Sequence, residues 1–403
     1  MALAEQFMEQ TASYDVFIEG ISPRFANEVV AGDITMMESL LSPSLETIVN
    51  FEAPIHESDG VSFKNWDLFR GNKMTIEYGN PNISPGRHQS VTQYIYRMEN
   101  RQYDNSNKET FTLRACDETV INNQRRRMSK QFDCETPTTV AGEALRCIGA
   151  SRVDMDDSGP TRNYIAENVH PFQVLSDQAD VALYGDDPSF LHYMTYLGGG
   201  THHFRSFKSL IEKDTRWDYF KNDPGFGGSF MGNPYNIMAY EFPCDFDLLT
   251  DILNGINDDG TMARSLTTIN PFTGAVSLVE GDLTACGGMG EAINEEVVSD
   301  AGTDNECGVK VEEYHLKRQA RLSLIQPDKL SLRMVVPFNP LLVCGDMIDV
   351  TFPIRPIQGQ HTIEKDYGSG EYMIVTLKHQ LSQGAHGVTM IEAVSDSIRN
   401  NLT

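Results

Sequence analysis

Hydrophobic and polar residues alternate near both ends of this chain, and between those ends the spacing becomes helical. Residues 14–20 form a short β-rich run closed by Gly20, and residues 74–78 alternate before the turn cluster Gly79-Asn80-Pro81-Asn82. Residues 91–97 and 109–115 are rich in β-branched and aromatic side chains. A period of two places one face of each such strand on a core. A short helical spacing covers residues 62–68.

Past Cys116 the period changes. Val140, Ala144, Leu145 and Ile148 share one helical face, with the Thr138-Thr139 pair as N-cap and Gly149 as stop. After a polar stretch over residues 154–162, Pro171 opens a second helix. Phe172, Leu175, Ala179, Ala182 and Leu183 follow at helical spacing, and Gly185 ends it. Residues 190–197 read as a buried strand, Gly198-Gly199-Gly200 turns the chain, and Phe204 leads into a short helix over residues 208–213. From 222 to about 308 the chain is rich in Gly, Asn, Asp and Pro, which predicts long loops or a loop-rich subdomain. Local structure is expected there at residues 236–242 and 248–256. The C-terminal stretch returns to period two. Leu330, Leu332, Met334 and Val336 alternate before Pro337, and residues 347–352, 371–381 and 387–394 are three more strands.

This order predicts a mainly β fold with an α/β insertion, two barrel-like domains flanking a mixed and loop-rich middle. The expected domains are 1–115, the first barrel; 116–221, mixed α/β; 222–310, loop-rich; and 311–403, the second barrel.

Charge narrows the function. Fifty-seven Asp and Glu against 32 Lys and Arg give a net charge of −25. A sequence reader of DNA needs a basic face to release phosphate counterions, so that class is excluded. The balance suits a surface that DNA passes without sticking, and equally one that is simply soluble. The seven cysteines, at 116, 134, 147, 244, 286, 307 and 344, include no CxxC pair. They read as free thiols in a reducing cytoplasm. The first residues carry no secretory signal pattern, and no apolar run has the length of a membrane span.

Candidate chemistry is sparse. His192, His202 and His203 are close in sequence, yet adjacent strand residues point to opposite faces and HExxH is absent. A metal-dependent or hydrolytic enzyme built on these three is the alternative reading. Asp154, Asp156 and Gly159 open like a calcium loop, but the twelfth position holds Ile165 where a bidentate Glu is required. The glycine clusters lack a P-loop lysine, and GxSxG does not occur. Arg125-Arg126-Arg127 is the one dense basic run, read as a solvated turn or an interface with an acidic neighbour, with a phosphate contact as the alternative. No catalytic, cofactor or metal residue is assigned, and the chain is expected not to be an enzyme.

Several segments, in order, resemble the central baseplate hub family of contractile-tailed phages, which shares its core with the N-terminal part of type VI secretion spikes. The first runs Phe111-Thr112-Leu113-Arg114-Ala115-Cys116 and then Asn123 to Lys130, similar to the family's strand and basic turn before a short helix. The second is His170-Pro171-Phe172-Gln173-Val174-Leu175, with Phe190 to Met194 and Phe204-Arg205-Ser206 after it. The third begins Asn339-Pro340-Leu341-Leu342-Val343-Cys344-Gly345-Asp346-Met347-Ile348. It continues through Gly370, Tyr372, Ile374, His379, Thr389, Glu392, Asp396 and Ser397.

The resemblance implies a ring-like homotrimer in which each chain carries two tube-like β-barrels, so that three chains present six similar units. Such a ring joins a hexameric tail tube to a trimeric spike. It implies as partners a separate central spike protein, the tail tube or tube-initiator protein, baseplate wedge proteins, and genome DNA passing through the lumen without specific binding. The implied location is the virion tail baseplate, assembled in the host cytoplasm.

Overall fold

The computed structural model describes residues 12–19, 30–54, 71–86, 88–104, 108–221, 234–243, 264–269, 276–280, 294–299, 318, 322, 325–326, 332–352, 368–382 and 386–395. The helix expected at 62–68 and the local structure expected at 248–256 lie outside these residues.

The molecule is mainly β. The N-terminal part supplies β1 (Ser13–Ile18), β2 (Val30–Ser39), β3 (Glu46–Pro54), β4 (Lys73–Gly79), β5 (Gln89–Asp104) and β6 (Lys108–Cys116), paired in the order β1-β4-β5-β6-β3-β2. Alternation sets the register. Met74, Ile76 and Tyr78 of β4 are buried while Lys73 and Glu77 face outward.

A mixed α/β segment follows. It contains α1 (Glu118–Arg125), β7 (Met128–Glu135), α2 (Pro137–Ile148), β8 (Val153–Met155), β9 (Arg162–Val169), α3 (Pro171–Ala179), β10 (Phe190–Thr195), β11 (Thr201–Ser206) and α4 (Phe207–Ile211). The α2 face is the expected one, Val140, Ala144, Leu145 and Ile148, all buried. Its start is earlier than the threonine pair. Thr136 accepts from the Thr139 N–H at 3.2 Å and Pro137 occupies the first turn, the position where a missing N–H is harmless. Helix α3 stops at Ala179 instead of reaching Gly185. Leu183 exchanges both main-chain hydrogen bonds with Gly159, at 3.0 and 2.8 Å, and this long-range bridge displaces the last helical turn that local spacing favours.

Next come β12 (Trp217–Phe220) and β13 (Ala239–Glu241), then β14 (Arg264–Ile269), β15 (Val276–Glu280) and β16 (Asn294–Ser299), which pair among themselves as a small sheet. The stretch expected to be loop-rich therefore contains a three-stranded sheet. The C-terminal strands are β17 (Leu332–Pro337), β18 (Met347–Thr351), β19 (Gly370–Ser382) and β20 (His386–Val394).

Strand β19 unites the two β-rich parts. Its residues 370–373 pair with β18 and its residues 376–381 pair with β2 of the N-terminal sheet. A register shift against β20 falls between Ile374 and Thr376, where the neighbour changes. Such a bulge bends and twists a strand locally. Among the described residues the pairing forms one continuous path, β1-β4-β5-β6-β3-β2-β19-β20-β17-β13, with β12 and β18 beside it, and not two closed rings. Strand β12 crosses the expected boundary at 221 by pairing in parallel with β18.

Three hydrophobic clusters fill the interior: one on the N-terminal sheet, one on the C-terminal strands, one between α2, α3 and β7–β9. Strand β10 serves all three. Phe190 enters the helical cluster, Leu191 and Tyr193 the C-terminal one, and Met194 the N-terminal one.

Candidate functional site

The three histidines sit on the β10–β11 hairpin, and the structure separates them. His192 and His202 stack with ring centroids 5.4 Å apart, and His192 Nε2 lies 3.1 Å from His202 Nδ1. His202 Nε2 is 2.9 Å from Thr119 Oγ1, and that hydroxyl donates to Asp117 Oδ1 at 2.6 Å. Since the Thr119 proton is committed to Asp117, His202 Nε2 must donate to Thr119 and His202 Nδ1 must accept from His192. Burial holds both rings well below the usual imidazole range, His202 to about 3, so the relay consists of neutral rings. His203 faces the other way. Its Nδ1 meets Asp154 Oδ2 at 3.0 Å and its Nε2 meets Thr195 Oγ1 at 2.9 Å. Among the described residues no three His, Cys, Asp or Glu side chains come together as metal ligands would.

The calcium-loop candidates are likewise engaged. Asp154 and Asp156 both pair with Arg205, at 3.2 and 3.3 Å, and Asp156 also accepts from the Ser206 N–H at 2.9 Å. Ile165, at the failed twelfth position, is exposed on β9. Cys116, Cys147 and Cys344 are free thiols, whereas Cys134 is disulfide-bonded, a departure from the all-thiol expectation. Spacing along the chain carries no information about such a pairing, which the fold decides.

The triple-glycine turn after β10 has a geometric cause. Gly198, Gly199 and Gly200 all have positive φ, at 73°, 86° and 105°. A Cβ on Gly199 would stand 3.1 Å from the Ser90 carbonyl oxygen, and one on Gly198 would run into the flexible Arg152 side chain. Gly199→Ala is expected to cost about 2 kcal/mol in chemical denaturation, since both left-handed backbone and fixed main chain oppose it. Gly198→Ala should cost less, because arginine can move.

Where β2, the hairpin and the C-terminal strands meet, a carboxyl group is enclosed. Glu38 is 2% exposed. One of its oxygens accepts from the Tyr196 N–H at 2.5 Å and the other from the Cys344 N–H at 3.0 Å. Burial pushes Glu38 up to about 8; the two main-chain donors oppose the rise, and the Asp346 charge adds to it. Tyr196 extends the lock by donating to the Glu46 carbonyl at 2.7 Å and contacting Thr47 Oγ1 at 3.0 Å. The residues Asn339 to Ile348 supply the opposite wall. Asn339 Oδ1 accepts from the Leu341 N–H at 3.1 Å, and its amide donates to Tyr219 Oη at 3.2 Å. Gly345 has φ of 82°, and a Cβ there would stand 3.1 Å from both Leu210 and Tyr193. Arg216 reaches Asp346 at 3.4 Å.

The described site is thus a lock. The Cys344 thiol also hydrogen-bonds the Glu38 carboxyl, burial pushes both groups up, and the contacts of Glu38 and Tyr196 join β2 and β3 to distant segments of the chain. The signal for Glu38 was absent from the sequence, since nothing local marks it among so many carboxylates.

No protein-family model matches the chain, and no curated protein matches it in sequence. Its fold does match solved structures. The 43 kDa tail protein of prophage MuSo2 from Shewanella oneidensis aligns with TM-score 0.58 at 15% identity, covering 95% of this chain and 98% of that one. The tail protein from Neisseria meningitidis MC58 aligns with TM-score 0.58 at 12% identity, covering 96% and 98%. The E. coli c3393 protein, described as a type VI secretion component with similarity to T4 phage tail proteins gp27 and gp5, aligns at TM-score 0.49 and 9% identity, covering 96% of this chain and 78% of that one. Over nearly its whole length, then, this chain has the fold of the MuSo2 prophage tail protein and of the Neisseria tail protein.

Proposed function

We propose that the chain is the structural hub of a phage tail baseplate, a trimeric and pseudo-hexameric adaptor between the hexameric tail tube and the trimeric central spike. The observation that carries this reading is the match of fold to two tail proteins, over 95% and 96% of this chain. Residues 1–115 and 311–403 would be the two tube-like units, joined through the pairing of β2 with β19. Three chains would then present six units to the tube and three to the spike. The role is non-enzymatic, in keeping with the Glu38 lock and with histidines already committed to partners inside the fold. Tube, spike and wedge proteins are the proposed partners in the virion tail. The surplus of acidic residues suits a lumen along which DNA slides unbound.

Light scattering on the purified protein, alone and with its candidate spike, is expected to give a trimer or a three-to-three complex. A persistent monomer or dimer that ignores the spike would overturn the adaptor role. Stoichiometric tightly held metal would instead revive the reading built on His192, His202 and His203.

A further inference from the structure

The basic run Arg125-Arg126-Arg127 takes no part in the lock. It lies where α1 ends and β7 begins, at the rim of a depression of about 300 Å³ lined by Arg127, Met128, Lys130, Glu143, Arg146 and Cys147. Arg125, Arg126, Arg127, Lys130 and Arg146 are all exposed. Arg126 donates to the Cys147 carbonyl and Arg127 to the Asn168 carbonyl, the latter at 2.9 Å. These bonds orient two guanidinium groups without neutralising them. Glu143 enters the depression from α2, shared by Lys130 at 3.2 Å and by Arg146.

The pattern is unusual for this chain. With 57 acidic residues to 32 basic ones, carboxylates are abundant. Arg97, Arg101, Arg114, Arg205, Arg318 and Arg333 each reach one. Among the described residues, the three consecutive arginines reach none. A guanidinium has five donors in a fixed fork, so one carbonyl leaves most of them free, and the matching ligand for that fork is a carboxylate.

We propose that this depression docks an Asp- or Glu-bearing segment of a second copy of the chain. The copy is the favoured occupant because each chain carries 25 surplus negative charges to offer. A nucleic acid would present a continuous row of phosphates, and the Glu143 carboxylate between Lys130 and Arg146 interrupts the basic surface such a row would follow. The inference rests on the self-association proposed above and places one of its contacts.

The test is sedimentation velocity on the full chain at low and high salt. The wild type is compared with Arg125→Glu and with the triple variant Arg125→Glu/Arg126→Glu/Arg127→Glu. Arg125 makes no hydrogen bond or ion pair within the described chain, so its single variant should fold normally, which a circular-dichroism melt checks. Wild-type association should weaken as salt rises, and both variants should associate roughly tenfold or more weakly. Wild-type assembly with unchanged association of Arg125→Glu and the triple variant would overturn the docking proposal and leave the hub reading intact. A wild type that stays monomeric alone would overturn the docking proposal, and the hub reading falls with it only if the protein also ignores its candidate spike. Loss of oligonucleotide retention in the variants, with self-association unchanged, would assign the arginines to nucleic acid and overturn the proposal.

Discussion

Between pH 6.5 and 8 the protein is expected to lose stability as pH rises, and Glu38→Gln is expected to flatten that loss. Glu38 keeps its proton in the fold up to about 8, whereas an unfolded glutamate ionises near 4.5. The native state therefore binds more protons across this window, and the unfolding free energy falls as the pH climbs. At about 1.4 kcal/mol per pH unit, the fall from 6.5 to 8 is about 2 kcal/mol. Histidine sets the acid side with the opposite sign. His202 and His379, both buried, are held down to about 3 from an ordinary 6.5, so their stabilisation is complete above 6.5 and is lost as the pH falls towards 3. Between 4.5 and 6.5 the two rings outweigh the one carboxyl, which places the optimum near pH 6.5. Glutamine keeps one acceptor and turns an amide N–H against the second main-chain donor, so Glu38→Gln should start lower at pH 5 yet decline less above 6.5. Urea titrations at pH 5, 6.5 and 8 decide it. Parallel declines in wild type and variant would mean that some other group titrates.

Phe338→Ala should be the most damaging single truncation, at about 3–5 kcal/mol. Phe338 directly follows β17 of the C-terminal strands, yet its ring is fully buried in the N-terminal cluster. It meets Tyr78 with centroids 6.2 Å apart and His379 at 5.1 Å, and its carbonyl receives the Asn80 side-chain amide. Truncation opens a cavity at the place where the two β-rich parts interlock. The expected signature is a lower denaturant midpoint together with a broadened transition, as the parts begin to unfold separately. Only a loss below about 1 kcal/mol, as at a site that relaxes freely, would contradict the interlock.

Much of the local structure was legible beforehand. The strands over 74–78, 91–97, 109–115 and the C-terminal stretch declare themselves by alternation, and the face of α2 by its 3.6-residue period, because each of these buries one side against a core. Helix α1 was missed although its signals are present. Asp117 caps it, accepting from the Thr119 N–H at 2.8 Å, with Glu118 in its first turn and Arg125 in its last. Strand β9 was missed because its exposed residues break the alternation, Ile165 facing solvent beside Tyr164.

The order of β-rich, mixed and β-rich parts, the opposite facing of His202 and His203, and the incomplete calcium-loop spacing ending at Ile165 were legible in the sequence alone, because periodicity and ligand spacing are short-range properties. What the tertiary structure decided is long-range. It joined β2 to β19 across more than three hundred residues. It set Glu38 between Tyr196 and Cys344, and among the described residues it left three consecutive arginines without a carboxylate. Those contacts depend on which distant segments close on one another, and burial, which gives Glu38 its shifted protonation, exists only after they have closed.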